Sequence, residues 1–437
     1  MNSVHQNHPC IRIQRTTVRW LLAWLVLLQV SCHRATETRT VVTFPSSAVG
    51  AEGDVLQRQL ARFMAAHPDI TVLQQATPDA ADQRHQLYVQ WLNAGAHDPD
   101  ILQLDVIWTA EFAAAGWLLP LDPFSPATEQ FFSTTIEANR WAGRLYALPW
   151  FVDVGMLYWR TDLLTSPPAT FADLTQQAAT ARRQTEIPFG FVWQGARYEG
   201  LVTVFLEHLS GFGGRILDDR GRVVVDSDSA VHALSYMCDS LYRSAVVPPA
   251  VLTWQEEQTR FAFQNGQALF MRNWPYAAPL LQDRQQSQVA GKFAVAPLPA
   301  SAGGSSGATL GGSQLAINAH TDHPQAAYAI VEYLTRAEQM IERARVVGQY
   351  PPRPALYDGQ ELVDALPLPP PQIRVILQRA IARPVTPVYT ELSEILQIAL
   401  HRALTRQQDP TTALREAAQS MRSLLAKVAL IPQGGHD

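Results

Sequence analysis

Apolar residues recur at helical and strand spacing through the first hundred residues of the body of the chain. Leu56, Leu60 and Phe63 lie on one face of a predicted helix, and the apolar run TVVTF before it predicts a short strand. The predicted elements are strands at 40–44, 70–73 and 101–104, a helix from an Asp54 cap to Pro68, and a helix at 80–93. This β-α-β-α-β order predicts an α/β fold whose parallel sheet lies between helices.

A second region of alternating elements begins near Gly143. Its predicted strands lie at 145–149, 154–160, 270–272 and 314–318, and its predicted helices at 171–183, 197–210, 229–244, 255–265 and 323–335. The stretch 294–312 is rich in Pro, Gly and Ser, which indicates a linker or a crossing loop. The last 50 residues predict two amphipathic helices, so we expect a helical C-terminus.

Composition indicates a globular protein outside the nucleic-acid-binding class. The 437 residues allow two or three domains, and 47% hydrophobic with 17% charged residues is enough for sizeable cores. The formal net charge is -5, and it becomes -8 without residues 1–31, which contain three Arg and no acid. A mildly acidic body lacks the basic surface with which proteins bind nucleic acid.

The sequence contains no recognisable cofactor or metal motif. The three cysteines show neither pair spacing nor metal-ligand spacing, and Cys238 occupies an apolar helix position where we expect a buried, unpaired side chain. Residues 303–307 match G-x-S-x-G, but a nucleophile elbow requires a strand that leads directly into a turn and a helix after it. That pattern is missing around this Gly/Ser-rich stretch. We therefore expect no enzyme activity, no metal and no cofactor.

The N-terminus has the pattern of an export signal. Three arginines precede an 11-residue apolar run at 20–30, which is too short to span a bilayer but matches a signal-peptide core. No later run approaches 18 apolar residues. The run ends at Ser31-Cys32, and a small residue directly before Cys resembles a bacterial lipoprotein signal, with Gln29 where Leu is usual.

This resemblance implies cleavage before Cys32 and a lipid on its sulfur. We therefore expect a signal peptide at 1–31 and a tether at 32–39. The lipid would anchor the protein to the bacterial cell envelope, in the periplasm or on the outer face of the cytoplasmic membrane. Ordinary secretion with an unmodified Cys32 is the alternative.

Aromatic residues and carboxylates accumulate at loop-like positions, and nine tryptophans follow residue 31. An aromatic face packs against the C–H face of a pyranose ring, while carboxylates accept hydrogen bonds from its hydroxyls. Trp274 precedes Pro275, which restricts its backbone. Asp105 follows a predicted strand, at the edge where α/β sheets bind ligands. Trp91 and Trp108 are predicted to pack in the core.

Ordered motifs give the chain a family resemblance between about residues 40 and 360. LDVIW (104–108) precedes GWLLPL (116–121), and GRLYALPWFVDVGMLYWR (143–160) resembles the signature G-x-x-Y-A-(L/I)-P-x-x-x-D-x-G-x-L-x-Y. Further matches lie at 191–201, 270–276, 310–312 and 351–357. The chain resembles the family 1 extracellular solute-binding proteins that serve ABC importers, and it is most similar to their trehalose/maltose-binding lipoproteins.

The resemblance implies a two-lobe, periplasmic-binding-protein-like fold with a ligand cleft between lobes that close by hinge motion. The implied N-terminal lobe comprises 40–147 with about 300–347, and the C-terminal lobe 148–299 with about 348–437. The implied ligand-binding residues are Glu52, Arg84, Asp105, Trp150, Phe151, Asp153, Trp274, Tyr276, Gly311, Gly312 and Arg353. Ser313 stands where close relatives often carry Trp, and this loss of a ring bears on which sugar fits.

The same resemblance implies a function. We expect the extracytoplasmic substrate-binding component of a carbohydrate ABC importer, a monomer that binds a di- or oligosaccharide of the trehalose or maltose type and delivers it to permease subunits. Trehalose is the leading candidate. Two alternatives stay open: a sugar-sensing receptor subunit, and a glycoside hydrolase, which needs two carboxylates at a defined separation.

Overall fold

The computed structural model describes residues 39–46, 51–78 and 81–429, so the predicted signal peptide and Cys32 lie outside the described residues. The strands are β1 (Thr40–Ser46), β2 (Ile70–Ala76), β3 (Ile101–Asp105), β4 (Arg140–Trp141), β5 (Arg144–Leu145), β6 (Ala147–Val154), β7 (Met156–Arg160), β8 (Phe189–Val192), β9 (Ala268–Asn273), β10 (Phe293–Ala296) and β11 (Leu310–Ile317). Short 3₁₀ turns lie at Asp122–Phe124, Thr128–Gln130, Pro249–Thr253 and Pro354–Tyr357.

The α-helices surround these strands. They are α1 (Glu52–Ala66), α2 (Ala81–Asn93), α3 (Thr109–Ala114), α4 (Ser133–Glu137), α5 (Phe171–Gln184), α6 (Glu199–Gly211), α7 (Asp228–Tyr242), α8 (Glu256–Gln264), α9 (Ala277–Gln282), α10 (Pro324–Leu334), α11 (Ala337–Val347), α12 (Pro370–Gln378), α13 (Tyr389–Leu404) and α14 (Pro410–Ala429). None of the described helices is both long enough and apolar enough to cross a membrane.

The strands of the N-terminal lobe are mixed in direction, whereas the sequence predicted a parallel sheet. β1 and β2 pair in parallel, but β11 lies between β3 and β6 and runs antiparallel to both. Asp100 joins the two groups of strands, because its carboxylate accepts the backbone N–H of Thr43 at 2.7 Å. The strand at 314–318 was predicted, but its position between β3 and β6 was not, because β11 comes from about 200 residues further along the chain than β3.

The C-terminal lobe is built on a second sheet, in the order β10-β7-β9-β8. The sequence predicted one strand at 154–160, but the structure divides it at Gly155, where β6 ends in the first sheet and β7 begins in the second. The pairing of β6 with β11 extends to Val154, so the first crossing lies beyond the predicted lobe boundary at 147. A second crossing connects β10 to β11 through residues 297–309. The sequence predicted a loop over 294–312, but the ends of that stretch belong to β10 and β11.

Helical segments complete both lobes. α13 and α14, the two predicted C-terminal helices, pack against α6 and α7. The unpredicted helix α11 packs against α1, where the Gln59 side chain donates to the carbonyl of Gln339 at 2.9 Å. Asp54 lies in the first turn of α1 and is not its cap, which is Ala51. Cys238 is only partly buried, with its sulfur 3.6 Å from the carbonyl of Ala403 on α13.

A buried ion pair lies beneath both crossings. The side chains of Arg272 and Glu207 are 1% and 3% exposed, and Nε of Arg272 donates to Glu207 at 2.8 Å. A Cβ at Gly155 would lie 1.8 Å from a Glu207 oxygen, so this position of the first crossing has room only for glycine. The backbone N–H of Thr309, just before β11, lies 3.4 Å from the same oxygen.

We expect Glu207→Ala to lower the free energy of unfolding by ~3–5 kcal/mol, because it leaves the Arg272 guanidinium buried without its counter-charge. Urea denaturation followed by circular dichroism measures the change. The matched control is Asp219→Ala, which removes a carboxylate that is 92% exposed in its pair with Arg215 and changes the free energy by less than ~1 kcal/mol. Equal effects of the two substitutions would contradict the role given to the buried pair.

Candidate functional site

The register of β11 creates a cleft at the ends of three strands. Ser313 is paired with Asp105 of β3, and Gly311 is paired with Asp153 of β6. Gly312 between them has φ of +115°, and a Cβ there would lie 2.2 Å from the carbonyl oxygen of Phe151, so only glycine fits. The cleft encloses about 970 Å³ and is lined by residues of both lobes.

Nine of the eleven residues predicted for the site line this cleft. They are Glu52, Arg84, Asp105, Phe151, Asp153, Trp274, Tyr276, Gly311 and Gly312. Trp150 and Arg353 do not line it. The structure therefore brings together residues from six separate segments of the chain, while Trp150 and Arg353 lie outside the cleft.

Trp150 lies outside the cleft, at a register shift between β6 and β11. Phe151 is paired with Ser313 and Pro149 with Gln314, so Trp150 is the extra residue of β6 at this point. Phe151 and Asp153 line the cleft, whereas Trp150 is fully buried. Its indole packs against Phe44, with ring centroids 5.9 Å apart, and against the Arg343 guanidinium, at 3.9 Å from the ring centroid. Trp150 is therefore part of the core behind the cleft.

Arg353 is held outside the cleft. Its guanidinium donates to the carbonyl of Thr335 at 2.8 and 3.0 Å and lies 4.4 Å from the ring centroid of Phe131. The arginine from the last third of the chain that does reach the cleft is Arg383. Arg383 was not predicted, because it lies between α12 and α13 in a segment that matched no motif.

Arg383 connects the two lobes at the cleft. Its guanidinium donates to Asp105 at 3.1 Å and to Glu199, the first residue of α6, at 2.8 Å. Glu199 also accepts hydrogen bonds from the hydroxyls of Tyr389 and Ser393 on α13. Burial raises the pKa of Glu199, although the Arg383 charge opposes this effect. One arginine thus joins the end of β3 to α6.

Glu52 is held by groups from the unpredicted helix α11 and the residues after it. Its carboxylate accepts hydrogen bonds from Arg343 at 3.1 Å and from Gln349 at 2.9 Å. Burial lowers the pKa of Arg343 to about 10, although the Glu52 charge favours the protonated form. Glu52 is 5% exposed, so these two hydrogen bonds hold its carboxylate in one position at the edge of the cleft.

Asp153 differs from these paired carboxylates. Its Oδ1 is buried and has no hydrogen-bond partner among the described residues. Burial raises the pKa of Asp153 to about 7, and the negative charges of Glu52 and Asp105 add to the increase. A buried acceptor without a donor is unfavourable, so a ligand that donated a hydrogen bond to Asp153 would gain from doing so.

An aromatic surface lies on the side of the C-terminal lobe. Trp274 and Tyr276 follow β9, and both are partly exposed in the cleft. The guanidinium of Arg272 lies 3.9 Å from the ring centroid of Trp274. Gly311 lets this indole approach β11, because a Cβ at position 311 would lie 3.2 Å from the ring. The ring is therefore confined between the two lobes.

Several cleft residues were not predicted. Ser313 stands at the position where the resemblance implied that relatives often carry Trp. It is 5% exposed and accepts a hydrogen bond from Gln103 at 3.1 Å. Tyr198 and Glu199 lie in a segment that matched the family pattern, and Glu256 begins a predicted helix, but none was assigned to the site. The cleft combines aromatic faces with carboxylate acceptors and guanidinium donors, a chemistry suited to a polyhydroxylated molecule.

The comparisons with known proteins agree with this architecture. A relative from Deinococcus radiodurans, described as a probable ABC transporter-binding protein, is 36% identical over 404 residues, which cover 89% of this chain and 94% of the relative. The maltose-bound MalE3 structure from Thermotoga maritima is 42% identical with a TM-score of 0.83, and the match covers 88% of this chain and all of that one. Its two-lobe architecture is the fold of this chain.

A further relative, the maltotriose-binding protein of Pyrococcus abyssi, is 25% identical over 252 residues, which cover 57% of this chain and 51% of the relative. The family model for bacterial extracellular solute-binding proteins matches residues 47–341, which include most of the residues around the cleft. This match spans well over half of the chain. The chain belongs to the bacterial extracellular solute-binding protein family.

Proposed function

We propose that this protein is the extracytoplasmic substrate-binding component of a carbohydrate ABC importer, and that it binds a di- or oligosaccharide built from glucose. The observation that carries the proposal is the cleft itself, which is lined by the Trp274 ring together with Asp105 and Asp153, whose Oδ1 is unpaired. A pyranose has an apolar C–H face and a rim of hydroxyls. The indole ring can pack against the C–H face, and the carboxylates can accept hydrogen bonds from the hydroxyls.

The size of the cleft favours more than one sugar ring. Its volume of about 970 Å³ lies at the upper end of the ~300–1,000 Å³ common for small-molecule sites. The maltose-bound and maltotriose-binding relatives support a ligand of this length. Maltose, maltotriose and trehalose are therefore the first candidates. Ser313 gives the ligand no aromatic face at its position, which bears on the choice among them.

The proposal includes the cellular context. The protein would be exported, anchored by a lipid on Cys32, and would act as a monomer that closes its lobes on the sugar and delivers it to permease subunits. The relative described as a probable ABC transporter-binding protein supports the import role.

Mass spectrometry of the membrane-extracted protein tests the lipid anchor. We expect a chain that is cleaved between Ser31 and Cys32 and whose Cys32 is heavier by a diacylglycerol group.

A thermal-shift screen tests the proposed ligand class. Because a ligand that binds only the folded state raises its stability by mass action, a sugar at 100 times its Kd adds about 2.7 kcal/mol. We expect maltose, maltotriose or trehalose to raise Tm, and glucose and mannitol to have smaller effects. Calorimetric titration then gives the affinities. The proposal fails if no oligosaccharide shifts Tm or releases heat.

We expect Asp105→Ala and Asp153→Ala each to weaken sugar binding ten- to more than a hundredfold without unfolding the protein. The loss of a charged hydrogen-bond partner costs about 1.5–3 kcal/mol, which corresponds to that range of affinity. The control is Asp322→Ala, which removes a carboxylate that is 70% exposed. Normal binding by both cleft variants would reject their assignment to the site, and loss of folding would show that they act structurally.

Sugar affinity should increase as the pH rises from about 5.5 to 8. The pKa of Asp153 is about 7, and a hydroxyl donates more strongly to the ionised carboxylate, so below pH 7 binding must displace a proton. Calorimetry across this pH range measures the slope. Asp153→Asn cannot ionise and should show a nearly flat profile. An equal slope in both proteins would contradict the role of Asp153.

Ionisation of Asp153 should lower the stability of the sugar-free protein, whereas it should raise the affinity for sugar. Because the folded-state pKa of Asp153 lies above its ordinary value, the group contributes stability that is fully present below pH ~4 and is lost as the pH rises through 7. Without sugar, Asp153→Asn should therefore gain stability relative to the wild type between pH 5 and pH 8. Urea denaturation at the two pH values gives the comparison, and an unchanged difference would contradict the raised pKa.

A further inference from the structure

The aromatic surface of the cleft is attached to two carboxylates on one helix. α8 begins with Glu256 and Glu257. Glu256 accepts hydrogen bonds from the hydroxyl of Tyr198 at 2.7 Å and from Nε1 of Trp274 at 3.3 Å. Glu257 accepts a hydrogen bond from the hydroxyl of Tyr276 at 2.7 Å. Three rings that line the cleft are thus tied to two consecutive residues.

The backbone around these rings is held by a separate side chain. Asn273 is fully buried, and its amide donates to the carbonyl of Glu256 at 3.2 Å. Its side-chain oxygen accepts the backbone N–H of Trp274 at 2.8 Å. Because Asn273 holds the loop to α8 through backbone groups, removal of the Glu256 carboxylate should free the indole ring without displacing the loop.

The two carboxylates differ in their other partners. Burial alone would raise the pKa of Glu257, but hydrogen bonds from Arg260 and Tyr276 lower it, and the Arg260 ion pair measures 2.5 Å. The ion pairs of the described residues do not include Glu256, whose oxygens accept hydrogen bonds from Tyr198 and Trp274. Burial and the nearby Glu256 charge raise the pKa of Tyr198 well above its usual value, so its hydroxyl remains a donor.

We propose that Glu256 is a positioning residue for sugar recognition, whose carboxylate fixes the Trp274 indole and the Tyr198 phenol in the orientation in which they meet the ligand. This inference rests on the proposed function. Arg272 already covers one face of the indole, and the hydrogen bond to Glu256 stops the ring from turning about its side-chain bonds. Rings that are ordered beforehand lose less conformational entropy when a ligand binds.

A double-mutant cycle separates positioning from direct contact with the sugar. Calorimetric titration with maltotriose compares Glu256→Ala in the wild-type background and in a Tyr198→Phe/Trp274→Phe background, where the carboxylate has lost both donors. We expect roughly tenfold weaker binding in the first background and less than about a twofold change in the second. Glu256→Gln, whose amide oxygen still accepts a hydrogen bond, should recover part of the affinity.

Two results of this cycle would overturn the proposal. An equal loss in both backgrounds would mean that Glu256 binds the sugar directly, and wild-type affinity in Glu256→Ala would mean that the carboxylate does not matter. If Glu256→Ala does not fold, the comparison is made with Glu256→Gln, for which we expect a smaller loss that again disappears in the double-Phe background.

Near-ultraviolet circular dichroism of the sugar-free protein provides a readout that needs no ligand. Loss of the Glu256 carboxylate should weaken the tryptophan bands, because the Trp274 ring loses its fixed orientation. Glu416→Ala removes the same charge from an exposed position on α14 and should leave the spectrum unchanged. An unchanged spectrum for Glu256→Ala overturns the positioning role. If the wild type binds no oligosaccharide, the proposed function fails. The spectra of the wild type and Glu256→Ala still show whether the Glu256 carboxylate fixes the orientation of the Trp274 ring.

Discussion

The antiparallel placement of β11 between β3 and β6 is the constraint on which the cleft depends. In its register, Ser313 is paired with Asp105 and Gly311 with Asp153. Two carboxylates that are 48 residues apart in sequence therefore lie on either side of the same strand. Because the side-chain period of a strand is two, a slip of β11 by one residue would turn Gly311 and Ser313 away from the face on which Asp105 and Asp153 lie. Gly312, which tolerates no Cβ beside Phe151, fixes the same register.

Charge pairing explains why Asp153 stands out in this cleft. Glu52 is paired with Arg343, Asp105 with Arg383, and Glu207 with Arg272, and each arginine comes from a distant part of the chain. These pairs neutralise charges that would be costly to bury alone. Oδ1 of Asp153 remains without a donor among the described residues, and a sugar hydroxyl is the donor that the proposed function supplies.

The sequence predicted most helices and strands because their apolar faces repeat locally. Tertiary partners were harder to predict. Nothing in the sequence of β11 shows that it will separate β3 from β6, and α11 carries no motif although its Arg343 holds Glu52. Gly155 was assigned to a strand at 154–160, yet it is where the chain changes sheets.

The two misassigned site residues illustrate different limits. Trp150 and Phe151 are adjacent aromatic residues between two predicted strands, so the sequence did not show which of them lies in the cleft. The register shift between β6 and β11, which leaves Trp150 without a partner on β11, follows from pairing between distant segments. Arg353 and Arg383 are both followed by proline, and only Arg353 lies in a stretch that resembles the family, so the local sequence favoured the arginine that stays outside the cleft. Only the packing of the C-terminal segment against α6 brings Arg383 to the cleft, where it contacts Asp105.

A crystal structure of the protein grown with maltotriose, or with whichever oligosaccharide binds most tightly, tests the central claim most directly. We expect a sugar ring stacked on the exposed face of Trp274, with hydroxyls that donate to Asp105 and to Oδ1 of Asp153, which has no donor among the described residues. An oligosaccharide bound elsewhere on the protein, or one in the cleft that leaves Asp153 and Trp274 without contact, would contradict it.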